Sequence, residues 1–152
     1  MNIFHDIRYT MFRIFSGKWN AYIGGSGGNW NWSGGSAEVG QWYHLALVKS
    51  SNSIKLYLNG VADPTTVSDS LDYQSDQIHI GMNPSGGENF DGLISNVRVV
   101  AGTAVYTSSF RPPTEPLKNI TNTKILCCNN SSVTGKTVGP TITATDSPTA
   151  ST

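Results

Sequence analysis

Glu38, Glu88 and Glu115 are the only glutamates among 152 residues. None has a carboxylate neighbour at the spacing that lets one strand present two acids to a glycosidic bond, one attacking and one protonating. His5, His44 and His79 lie far apart, with no helical histidine pair for zinc and no serine elbow. Asp69, Asp72 and Asp76 span one turn, and Glu88, Asn89 and Asp91 sit in another. Neither matches a calcium loop, and both read as ordinary turn residues. The only cysteines, Cys127 and Cys128, are adjacent. Neighbouring side chains of a strand point to opposite faces, so these two are not expected to pair, and no metal or redox spacing is present. The expectation is therefore a chain without catalysis, cofactor or metal.

Binding chemistry is better represented. Trp30 and Trp32 are one residue apart in an extended, glycine-rich segment, so a strand would present both rings on one face. Asn29, Asn31, Asn83, Asn89 and Asp91 could supply polar partners to a sugar stacked there. The competing reading is that both rings cover a thin core or lie against a neighbouring subunit.

Positioning such groups falls to strands. Gly, Ser, Thr, Asn and aromatics dominate, whereas strong helix formers are scarce. Acidic and basic residues balance at ten each, which leaves no electrostatic footprint for nucleic acid or an anionic membrane. No run approaches the roughly 20 apolar residues that span a bilayer, so membrane insertion is not expected. The opening MNIFHDIRYT lacks the apolar core of a signal peptide, which implies synthesis in a cytoplasm without export of its own.

The clearest unit is 41–60, QWYHLALVKSSNSIKLYLNG. Trp42, His44, Ala46 and Val48 alternate with Tyr43, Leu45 and Leu47, and after a polar turn Ile54, Leu56 and Leu58 alternate with Lys55, Tyr57 and Asn59. Asn59-Gly60 supplies the positive-φ chemistry of a tight turn. This hairpin is expected to be the stability centre, with Trp42 and Leu56 buried. Further strands are expected at 10–15, 19–23, 77–82 and 124–128, with a long one at 90–100 in which Gly92 marks a bulge or a close approach. Residues 103–110 run into Pro112, Pro113 and Pro116, which indicate an ordered surface connection. From Asn129 the chain is polar, with Val138 and Ile142 able to pin one short strand. The division is thus a β-sandwich over 1–128 and a C-terminal extension over 129–152.

These motifs together resemble laminin-G-like domains of the concanavalin A-like class. WYHLALVKSSNSIKLYLNG is similar to the W-x-H-x-A…L-Y-x-N-G hairpin of that family. FDGLISNVRVVAGTAVYTSSFRPPTEPL and NTKILCCNNSS, followed by TITATDSPTAS, resemble the continuation found in virion proteins of marine bacteriophages, especially those infecting cyanobacteria. The resemblance covers roughly 41–147. It implies an all-β jelly roll of two antiparallel sheets, with Trp42, His44, Asn59, Gly60, Phe90, Gly92 and Arg98 as structural signature. It does not extend to the glutamates: the E-x-D-x-x-E pattern of glucanases is absent. The first sixteen residues do not resemble the family's opening, so the usual N-terminal strands are expected to be replaced or missing. An uncovered sheet edge, the apolar stretch 9–15 and a polar tail then favour assembly over life as a monomer. The partners implied are other virion proteins or copies of the chain itself, with host-surface glycans as ligands. The location implied is the virion, and a free glycan-binding lectin is the alternative.

Overall fold

Period-two alternation, punctuated by glycine and asparagine turns, folds this chain into strands. The computed structural model describes residues 2–6, 10–23, 28–70, 77–83 and 89–150, and the side chains of 12–22, 36–70, 77–83 and 89–150. Every strand pairing is antiparallel, and no helix occurs among the described residues. The all-β class expected from composition is the one observed.

The chain forms two compact units. The first comprises Met1–Gly92 and Tyr106–Pro112, the second Leu93–Val105 and Pro113–Thr152. In the first unit, β1 (Asn2–Asp6), β2 (Thr10–Phe15), β3 (Lys18–Ile23), β4 (Gly28–Ser36), β5 (Leu45–Ser50), β6 (Ser53–Leu58), β7 (Val61–Ala62), β8 (Val67–Ser68) and β9 (Ile78–Ile80) follow in order. They make a five-stranded sheet in the order β4-β3-β2-β1-β9 and a four-stranded sheet around the β5–β6 hairpin. Ser16 and Gly17 between β2 and β3 both have positive φ, 51° and 72°, as the tightest hairpin turn demands.

The two sheets of this unit meet through Phe12, Trp19 and Ala21 on one side and Ile54 and Leu56 on the other. The inner hairpin face adds Tyr43, Leu45, Leu47 and Leu58 to that core. Leu56 is 1% exposed, and full burial of one such side chain stabilises by about 1.5–3 kcal/mol.

The second unit holds β10 (Val97–Val100), β11 (Thr123–Cys127) and β12 (Lys136–Val138) in one sheet, centred on buried Leu126 and Cys127. Asn96 opens it with φ 55°: its backbone N–H donates to the Cys128 carbonyl at 2.8 Å, and its Oδ1 accepts from Leu117 N–H at 2.9 Å. Arg98 reaches the Lys118 carbonyl at 3.1 Å, so this signature residue secures the irregular stretch after the prolines.

Two expectations need correction, and two others gain detail. Leu56 is buried as expected, but Trp42 is 64% exposed. Alternation assigns Trp42 to the His44 face, and the core lies on the opposite face, with Tyr43, Leu45 and Leu47. The strand also begins only at Leu45. Of the two outcomes open for the N-terminus, replacement is the one observed: the unfamiliar opening supplies β1 and β2, and β1 pairs with both β2 and β9. The long strand 90–100 shrinks to Val97–Val100; Gly92 is the site of a close approach, its missing Cβ leaving room for the Phe90 ring, whose nearest atom would lie 2.6 Å away. Cys127 and Cys128 are both free, as expected, yet their sulfurs lie only 3.8 Å apart. Cys128 stands beyond the end of β11 and adopts φ 56°, which abolishes the strand alternation that would separate them.

Candidate functional site

The outer face of the β5–β6 hairpin carries the densest set of signature residues. Asn59 and Gly60 both have positive φ, 50° and 77°, and turn the chain from β6 into β7. Asn59 N–H donates to the His44 carbonyl at 2.8 Å, while Asn59 Oδ1 accepts from His44 N–H at 2.9 Å. The two residues therefore close the hairpin beyond its last ladder pair, Leu45↔Leu58.

His44 points its ring at a strap formed by Tyr106–Pro112. Tyr106 and Phe110 stack with centroids 3.6 Å apart and planes 6° from parallel. His44 meets both edge-on, at 6.1 and 5.4 Å, and Tyr57 meets both at tilted angles. The strap is also hydrogen-bonded: Phe110 N–H donates to the Gly60 carbonyl at 2.8 Å, Ala62 N–H to Ser109 Oγ at 3.1 Å, and the Tyr57 hydroxyl to the Tyr106 carbonyl at 3.4 Å. A Cβ on Gly60 would collide with the Phe110 carbonyl. Glycine is needed there for space as well as for φ.

Beside the strap, Val48, Ser50, Ser53, Lys55, Tyr57, Tyr106 and Thr107 line an open cleft of about 200 Å³. The lining combines hydroxyls and an ammonium group with aromatic and aliphatic carbon, a combination that suits a small polyhydroxylated ligand. The spacing of Ser50, Ser53 and Lys55 around a hairpin turn carries no signal of its own. The cleft exists only because a segment about fifty residues downstream folds over it.

The glycan platform expected from sequence is distributed differently. Trp30, Asn31 and Trp32 belong to β4, where Trp30 pairs in register with buried Ala21 and Asn31 with Asn20; the side chains of 29–32 lie outside the described residues. Asn83, Asn89 and Asp91 follow β9, with Asn89 and Asp91 exposed and Asn83 half-buried. Strands β4 and β9 form opposite edges of the five-stranded sheet. Four strand spacings of about 4.8 Å separate them, so the two groups are not brought together. Of the loop acids, Asp69 is buried and Asp91 exposed, while Asp72, Asp76 and Glu88 lie outside the described residues.

A family model described as the concanavalin A-like lectin/glucanases superfamily, of the laminin G type, matches residues 3–104, about two thirds of the chain. Its span starts inside β1, so it includes the opening segment whose resemblance was not evident from motifs. No curated protein and no solved structure matches the chain.

Proposed function

Because the chain belongs to the concanavalin A-like lectin/glucanases superfamily, we propose that it is a non-catalytic adhesion and assembly module of a bacteriophage particle, in capsid decoration or a tail fibre. One observation carries this reading: the strap fills the outer face of the hairpin with the rings of His44, Tyr57, Tyr106 and Phe110. Sugar hydrolysis needs two carboxyl groups flanking an accessible bond. This face offers packed rings bordered by hydroxyls, a surface for holding rather than cleaving. The partners are other virion proteins or further copies of the chain, and the location is the assembled particle. Exposed Val39, Trp42 and Val61 supply apolar contact area for such neighbours, and tryptophan is enriched where interfaces form.

A second reading, a free glycan-binding lectin, is favoured by the cleft around Lys55 and Tyr106, whose hydroxyl, ammonium and ring groups suit sugar hydroxyls. Quantitative mass spectrometry of purified particles separates the two. A fixed copy number per virion supports the assembly role. Absence from particles, together with glycan-array binding that Lys55→Ala abolishes, would replace it with the lectin. Hydrolysis of any glycan on the array would overturn both.

A further inference from the structure

The two adjacent cysteines lie outside the hairpin face, and nothing proposed above uses them. Their sulfurs are 3.8 Å apart, already in contact. This depends on Cys128 standing past the strand end in a left-handed conformation, which a non-glycine residue seldom adopts. The two differ in accessibility: Cys127, on the central strand between β10 and β12, is fully buried, whereas Cys128 is half-exposed.

We propose that Cys127 and Cys128 form a vicinal dithiol that closes into an eight-membered disulfide ring by exchange with a small-molecule disulfide. The reaction is ordered by the burial difference. The Cys128 thiolate attacks one sulfur of the small disulfide, forms a mixed disulfide and expels one thiolate. Cys127 Sγ, giving its proton to solvent, then attacks Cys128 Sγ and expels the second thiolate. One sulfur–sulfur bond is broken and one is made; the two protein thiols are oxidised as the small disulfide is reduced to two thiols.

Electrostatics favour the same order. The hydrogen bond shared with Cys127 draws the Cys128 thiol down to about 7, against the opposing effect of burial, while Cys127 is raised by that same bond, by burial and by the Cys128 charge. Cys128 is therefore the nucleophile near neutrality and Cys127 the resolving thiol. Consecutive Cα atoms are about 3.8 Å apart, closer than the 4.4–6.8 Å usual across a disulfide. The ring is consequently strained and readily reduced, so its closure is reversible.

The chain contains no other cysteine, which makes the test unambiguous. The folded full-length protein is incubated with oxidised glutathione at neutral pH and its intact mass is recorded. The expected product has lost two hydrogen masses, carries no glutathione, stays monomeric on a non-reducing gel and regains its mass with dithiothreitol. Cys127→Ala should instead hold one stable glutathione on Cys128. Cys128→Ser should take up none while folded, which keeps the test valid if the buried substitution unfolds the chain. Two retained glutathiones on the wild-type protein, a covalent dimer, or modification of Cys127 in folded Cys128→Ser would each overturn the proposal.

Discussion

Gly40 and Gly60 share a backbone φ of 77°, yet only one of them is crowded. Alanine at either position must adopt the left-handed conformation, which destabilises by about 1–2 kcal/mol. At Gly40 nothing lies within 4 Å of the added Cβ, so the effect should stop there. At Gly60 the methyl group meets the Phe110 carbonyl, and the strap has to retreat. Retreat loses the Phe110 N–H to Gly60 carbonyl bond, about 0.5–1.5 kcal/mol net. It also loosens the ring contact of Phe110 with Tyr57, worth about 0.5–1.5 kcal/mol.

Gly60→Ala should therefore exceed Gly40→Ala by about 1–3 kcal/mol. The backbone term is common to both and cancels in the comparison. Urea unfolding followed by tryptophan fluorescence measures the difference, provided the two variants keep the wild-type denaturant slope. If the two substitutions agree within about 0.5 kcal/mol, inside the range of neutral surface changes, then the strap does not press on Gly60 and the account of the N-G signature is wrong.

Trp42→Ala should destabilise by less than about 1 kcal/mol because the side chain is largely in solvent, whereas Leu56→Ala should lose about 2–5 kcal/mol. The opposite ranking in the same urea experiment would reverse the hairpin faces. Asn59→Gly keeps the left-handed backbone unstrained but removes the bond from His44 N–H, so it should cost about 0.5–1.5 kcal/mol; unchanged stability would deny the side chain its role. Iodoacetamide alkylation of Cys128 should quicken as pH rises towards about 7 and level off above it, since the thiolate is the reacting form and its value is lowered from 9.0. A profile still climbing steeply at pH 9 would show an ordinary thiol.

Strand content was legible where one face differs from the other. The segment 10–15 reads as a strand and is β2 over those residues, and the polar stretch 50–53 reads as the hairpin turn, which the structure closes with Ser50 and Ser53 as the last ladder pair. What alternation cannot reveal is which face is covered. Both faces of β5 are apolar, with Leu45 and Leu47 on the sandwich core and Ala46 and Val48 on the side of the strap, so Trp42 and Leu56 look equally suited to burial. The strap itself has no period. Tyr106 and Phe110 acquire their role only by landing on Tyr57, about fifty residues earlier. The closeness of the two cysteine sulfurs is hidden for a related reason: it depends on the strand stopping one residue before the apolar run does.

Asparagine does better, because its side chain tolerates the left-handed region and can then be used twice. Asn59, Asn96 and Asn122 all have positive φ, between 50° and 66°. Each turns the backbone, and each amide side chain then grips a segment far along the chain. Asn59 Oδ1 accepts from His44 N–H, Asn96 Oδ1 accepts from Leu117 N–H, and Asn122 Nδ2 donates to Thr103 Oγ1. Glycine would satisfy the turn and lose the grip; alanine would lose both. The L-Y-L-N-G and I-S-N-V-R-V motifs are thus long-range fasteners as well as local turns. They hold the irregular stretches between short strands, where a regular ladder has nothing to pair with. That division of labour explains how a chain with strands as short as two residues presents an ordered strap, and with it the cleft and the ring-covered face on which the proposed role rests.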